Sequence, residues 1–100
     1  MNEDGLRRAA LSRARRIANA ARQAPGPAAP CHGLTVGDVL DYPELRLFLA
    51  VTGVTPGCVH ALGVRQAQPW AALKELRMPA DLVRWRLARQ GLKPVPHRRR

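Results

Sequence analysis

Arg8, Arg15 and Arg22 recur every seven residues in the stretch GLRRAALSRARRIANAARQ, residues 5–23. On a helix this spacing makes a row of guanidinium groups, with Ser12, Arg16, Asn19 and Gln23 beside it. The stretch holds six arginines and no acid. Ion pairs within the helix therefore cannot offset the repulsion, and the counter-charge must come from elsewhere. A planar guanidinium fork suits phosphate oxygens, so the chemistry suggested is polyanion binding. A second candidate lies in LAVTGVTPGCVHALGV, residues 49–64. Gly53 is a natural helix stop, Thr55 a cap and Pro56 a first helical residue. Gly57 and Cys58 would then offer backbone N–H groups at a helix start, with the Thr55 hydroxyl nearby. That is the phosphate seat of a helix-hairpin-helix turn.

Other chemistries find less support. Cys31-His32 and Cys58-x-His60 hold the residue types of a zinc site, but an adjacent Cys-His pair is poor geometry for one ion. No metal and no cofactor are expected. Two cysteines fit two reduced thiols. His32, His60 and His97 have no nucleophile partner at readable spacing, and Asp38, Asp41 and Glu44 read as capping and first-turn acids. No catalytic set emerges, so an enzyme is not expected.

The charge distribution extends the polyanion argument. The chain of 100 residues carries fifteen arginines and two lysines, for a net charge of +10. Residues 1–30 set six arginines against Glu3 and Asp4, a net of +4. Residues 31–76 are near neutral at −1, and residues 77–100 return to +7. Two basic ends on a neutral centre point to nucleic acid as partner. Arg84, Arg89 and the tail Arg98, Arg99 and Arg100 would add non-specific attraction. No segment reaches the ~20 apolar residues of a membrane span. Glu3 and Asp4 argue against a transit peptide, and a cytoplasmic, nucleoid location is expected.

These residues need positioning elements. Residues 1–23 read as a basic N-terminal helix, with Leu6, Ala10, Ala14, Ile17 and Ala21 within about 80° of one another as its packing stripe. Residues 24–33 hold three prolines and read as a linker. Residues 34–91 read as a core domain, and residues 92–100 as a basic, disordered tail. In the core, Thr35 with Asp38 resembles a capping box. Pro43, Pro56, Pro69 and Pro79 each stand where a first helical residue belongs, and Gly53, Gly63 and Gly91 where helices stop. No sustained alternation of apolar and polar residues marks a strand. The expected fold is all-α: one longer basic helix and a compact bundle of short helices with a helix-hairpin-helix-like turn. Trp70 and Trp85 are assigned to its core, with a cation–π or partner-facing role open for Trp85 between Arg84 and Arg86. Its helix could serve a homodimer or a larger protein complex.

A basic Ala/Arg-rich helix, a linker, the segment LTVGDVL, the hairpin AVTGVTPGCVHAL and the closing LKELRMPADLVRWRLARQG occur in that order. This order resembles the actinobacterial integration host factor family of small basic DNA-binding proteins, over roughly residues 6–91. Thr55 stands where that family has its second hairpin glycine, and the family's hairpin lysines are missing. The resemblance implies a helix–two-turns–helix body, largely sequence-independent binding to duplex DNA, and a role in chromosome organisation or recombination. The fifteen residues GLTVGDVLDYPELRL are also similar to the opening of purine-catabolism-type transcriptional regulators. Structured RNA is the alternative partner, and an acidic protein bound by a phage or host regulator is the alternative from another class.

Overall fold

The computed structural model describes residues 2–23 and 33–96. Helix α1 spans Glu3–Gln23. Then follow β1 (Val39–Tyr42), one 3-10 turn (Pro43–Leu45), β2 (Leu47–Thr55), β3 (Cys58–Arg65), β4 (Lys74–Pro79), α2 (Ala80–Ala88) and β5 (Lys93–Pro94). The strands make one antiparallel sheet in the order β4-β3-β2-β1-β5. The all-α expectation is thus overturned: the fold is mixed, with two helices and a five-stranded sheet.

The physical reason lies in β2. Leu47, Phe48, Leu49, Ala50 and Val51 are all buried, but into two different cores. Leu47, Leu49 and Val51 meet Leu40, Val59, Ala61, Met78 and Val83, the last from α2. Phe48 and Ala50 meet Val39, Val64 and the α1 residues Ala10, Ala14 and Ala18. A strand covered on both faces loses the polar half of its pattern and reads as an unbroken apolar run. Missing alternation therefore did not exclude a sheet.

The supposed helix starts become turns for local reasons. Pro43 does open a helical turn, but Arg46 adopts a left-handed conformation (φ 53°) and ends it after three residues. Asp38 Oδ2 accepts the Thr35 N–H at 2.9 Å, and the Asp38 N–H donates to the Thr35 carbonyl at 3.1 Å. The capping-box contact thus forms, yet it closes a turn that feeds β1. Pro56-Gly57 links β2 to β3 as a two-residue loop, with Thr55 opposite Cys58. Pro69 and Trp70 lie in the connection from β3 to β4. Pro79 immediately precedes α2, and Gln90 (φ 61°) follows its end in a left-handed conformation.

The buried stripe of α1 is Ala10, Ala14 and Ala18, at 0, 0 and 1% exposure, with Leu11 and Ile17 on its flanks. A methyl-only stripe lets the helix backbone lie close to the sheet. It leaves no room for larger groups in a close-packed interior. We expect Ala14→Leu to destabilise the fold by about 1–3 kcal/mol, through overpacking. Ala20→Leu, on the exposed side of the same helix, should change stability by less than about 0.5 kcal/mol. Thermal melts of the two variants check this.

Candidate nucleic-acid interface

α1 lies on one face of the sheet and α2 on the other, because their buried residues belong to the two separate cores. The candidate arginines divide accordingly. Arg8, Arg15, Arg16 and Arg22 project from α1, whereas Arg84 and Arg89 belong to α2 and the residue that caps it. Gly53, Thr55 and Gly57 sit at the far end of the β2–β3 hairpin. The fold therefore does not gather these residues into one patch. His97 and Arg98, Arg99 and Arg100 lie outside the described residues, as do Cys31 and His32.

The helix-hairpin-helix turn is not formed. No helix begins at Thr55–Gly57, so there is no helix dipole and no run of spare N–H groups. β3, which starts at Cys58, is paired on both sides, with β2 and β4. Its amides are committed to those ladders. The Thr55 hydroxyl donates to the Cys58 carbonyl across the turn at 3.2 Å, and the Gly57 carbonyl accepts the Ala80 N–H at 3.1 Å. What looked like a phosphate seat is the closing turn of a hairpin, with a bulge at Thr52 just before it.

On α1 most arginines do a positioning job first. Arg7 donates to Asp41 Oδ2 at 2.9 Å and lies over the Phe48 ring, 5.0 Å from its centre. Gln66 Nε2 occupies the other Asp41 oxygen at 2.9 Å. Arg13, absent from the sequence-based candidates, donates from Nη1 to the carbonyls of Pro69 and Ala71, both at 2.7 Å. Arg15 reaches the Pro96 carbonyl at 3.3 Å, and Arg22 the Gly37 carbonyl at 3.1 Å. Carbonyl partners hold a guanidinium in place without cancelling its charge. Arg8 and Arg16 are exposed on the outer side, Arg8 with a long bond of 3.4 Å to the Asp4 carbonyl.

Between α1 and the β1–β5 edge lies a cleft of about 190 Å³, lined by Arg15, Asn19, Arg22, Gly37, Val39, Val95 and Pro96. Among the described residues its lining holds two cations and no carboxylate, and the volume would admit a phosphate group. A larger cleft of about 490 Å³ at the start of α1 mixes Glu3, Asp4 and Asp41 with Arg7, Arg46 and Lys93 and has no dominant sign. Gly37 explains how Arg22 packs so closely. Its φ is +100°, and a Cβ there would stand 2.5 Å from Arg22 Nε. The heptad row was legible in the sequence; its meeting with Gly37 and Pro96 depended on the sheet and was not.

Both tryptophans are at the surface rather than in the core: Trp70 is 71% exposed and Trp85 52%. Arg89 stacks on Trp85 at 4.5 Å and Arg86 lies at 5.9 Å, so the cation–π partners are these two and not Arg84. Arg86 also pairs with Glu44 at 2.8 Å. Cys58 is a free, half-buried thiol, and among the described residues no three potential metal ligands come together. Among the same residues no helix is long and apolar enough to cross a membrane. No family model matches the chain, nor does any curated protein or solved structure. These comparisons do not bear on a likeness to the integration host factor family.

Two structural consequences can be measured. Gly37→Ala should cost about 1–3 kcal/mol, since a side chain is strained at that φ, whereas the flexible end of Arg22 can swing aside. Arg13→Met keeps the apolar stem but leaves the Pro69 and Ala71 carbonyls without their donor. It should cost about 1–3 kcal/mol. Denaturant unfolding of the two variants against the parent reads both effects.

Proposed function

We propose that the protein is a non-enzymatic nucleic-acid binder that takes duplex DNA in preference to RNA, largely without regard to base sequence. The observation that carries this reading is the charge on α1. Beyond Asp4 the helix has six arginines and no acid, and its alanine stripe is pinned to the sheet. Arg8 and Arg16 are exposed on its outer side, Arg8 with only a long bond to the Asp4 carbonyl, and Arg15 is held on its flank by a neutral carbonyl. A pinned cationic helix meets a regular phosphate lattice without first losing the freedom of a floppy arm. The cleft at Arg15, Asn19 and Arg22 suits one backbone phosphate. The three arginines at 98–100 follow shortly after Pro96, which borders that cleft.

Only four residues are aromatic, which speaks against recognition of single strands by base stacking. In this reading the protein acts at the nucleoid, in chromosome organisation or recombination, as its resemblance to small architectural proteins implies. A second reading, an acidic protein partner, draws on the exposure of Trp85 beside Arg84 and Arg89.

With six to eight phosphates neutralised, affinity for random duplex should fall on the order of 10³-fold between 50 and 200 mM salt. Arg8→Gln with Arg16→Gln should lower the magnitude of the log–log salt slope by about 2 and leave the melting temperature unchanged. A gel shift titrated with salt, with RNA duplex as competitor, measures both. Binding that is flat in salt, or a double variant that binds as the parent does, sinks the proposal. Trp85→Ala should leave DNA binding intact and would abolish binding only in the protein-partner reading.

A further inference from the structure

β4 is an outer strand of the sheet, with β3 on one side and no strand on the other among the described residues. Six residues, Lys74–Pro79, run along this edge. The opposite edge strand, β5, has only two. An outer strand presents unpaired N–H and C=O groups and is a template for another strand unless something blunts it. Here Lys74 and Pro79, which has no N–H to give, blunt the two ends, and the charges of the middle, one of each sign, turn away any strand that does not match them. The middle carries Glu75 and Arg77. Both are exposed, both lie on one face of the sheet, and neither side chain makes a hydrogen bond or ion pair among the described residues.

We infer that this edge is a self-complementary docking strand whose occupant is β4 of a second copy of the chain. The register follows from two constraints. Outward-pointing backbone groups alternate along an edge strand, so antiparallel partners must come from the same alternating set. That leaves registers centred on Glu75, on Leu76 or on Arg77. Centring on Glu75 sets the two copies of Glu75 against each other, and centring on Arg77 does the same for that residue. Like charges directly opposite are unfavourable. Centring on Leu76 sets Glu75 of each copy opposite Arg77 of the other, giving two symmetric ion pairs. It also brings Leu76, partly buried against the core, up to its own copy on the two-fold axis. The result is a closed two-fold dimer with a continuous sheet of ten strands.

Antiparallel pairing puts the two-fold axis perpendicular to the sheet. Both α1 helices then lie on one face of the joined sheet, and both α2 helices on the other. The interface is short, so the dimer is weak, in the micromolar-to-millimolar range. At 150 mM salt the Debye length is about 8 Å, which screens repulsion between the two basic bodies more than contacts at strand spacing. This inference does not rest on nucleic-acid binding and is tested without it.

Sedimentation equilibrium of the full chain at 150 mM salt, across about 10 µM to 1 mM, is the measurement. The parent should dimerise. E75R sets an arginine against the partner subunit's Arg77, and R77E sets a glutamate against the partner subunit's Glu75. Each variant alone should dimerise at least about tenfold more weakly. An equimolar mixture of E75R and R77E restores opposite charges at both pairs and should associate as a heterodimer near the parent's affinity. The E75R/R77E double variant should likewise recover. Thermal melts at low concentration should be unchanged for every variant, since both residues are exposed. A parent that stays monomeric to 1 mM, single variants that dimerise like the parent, or a mixture no better than its components would each overturn the inference.

Discussion

A strand with five consecutive buried apolar residues must be covered on both faces, because each apolar surface left in water forfeits about 25 cal/mol per Å². β2 is that strand, and the arrangement of the other elements answers its demand. Leu47, Leu49 and Val51, and Val54 beyond the bulge, are covered from the side of α2 and Leu92, and Phe48 and Ala50 by α1. β1 and β3 satisfy its backbone on either side. The long N-terminal helix is therefore part of the core. Phe48 and Ala50 would face water without it.

The covering helix brings little apolar area of its own. Three alanines supply its buried centre, and methyl groups give close approach but modest burial energy. Orientation along the sheet falls to the arginines on its flanks. Arg7 grips Asp41 and the face of Phe48, Arg13 two loop carbonyls, Arg15 the chain at Pro96 and Arg22 the chain at Gly37. These contacts spread along the helix and fix its rotation as well as its position. An arginine so used keeps its charge, because a carbonyl oxygen orients the guanidinium without neutralising it. Arg13 and Arg15 can thus hold the helix and raise the potential of the surface around it.

How much of this the sequence disclosed depends on the range of the interaction involved. α1 was legible, with its heptad arginine row, because helix periodicity is local and alanine and arginine are strong helix formers. α2 was legible from Pro79 and the acid that follows it in Asp81. The strands were not, since the unbroken run Leu47–Val51 fits a buried helix as well as a doubly covered strand, and only the presence of cover on both sides decides between them. Proline and threonine signals fit a helix start, but a two-residue hairpin loop at Pro56-Gly57 uses the same residues. At the candidate site, the exposed Arg8 and Arg16 were visible from spacing alone. Arg13 was not, because its partners, Pro69 and Ala71, lie more than fifty residues away and are backbone atoms with no side-chain signature.

The placement of the two helices on opposite faces of the sheet has a consequence for any polyanion. A stiff duplex lying along α1 is kept from α2 by the thickness of the sheet and its cores, so Arg84 and Arg89 cannot share its phosphates within one copy. Among the described residues, the cationic surface that such a duplex meets on one chain is therefore narrow, on the order of one helix face. Two chains joined edge to edge about an axis normal to the sheet would set two such faces side by side on the same side. Simultaneous engagement then raises the local concentration of the second face without any new contact chemistry. Such geometry would give a small, weakly self-associating protein a binding strength that rises steeply with its own concentration along the nucleic acid, while a free copy in solution would hold any single phosphate only loosely.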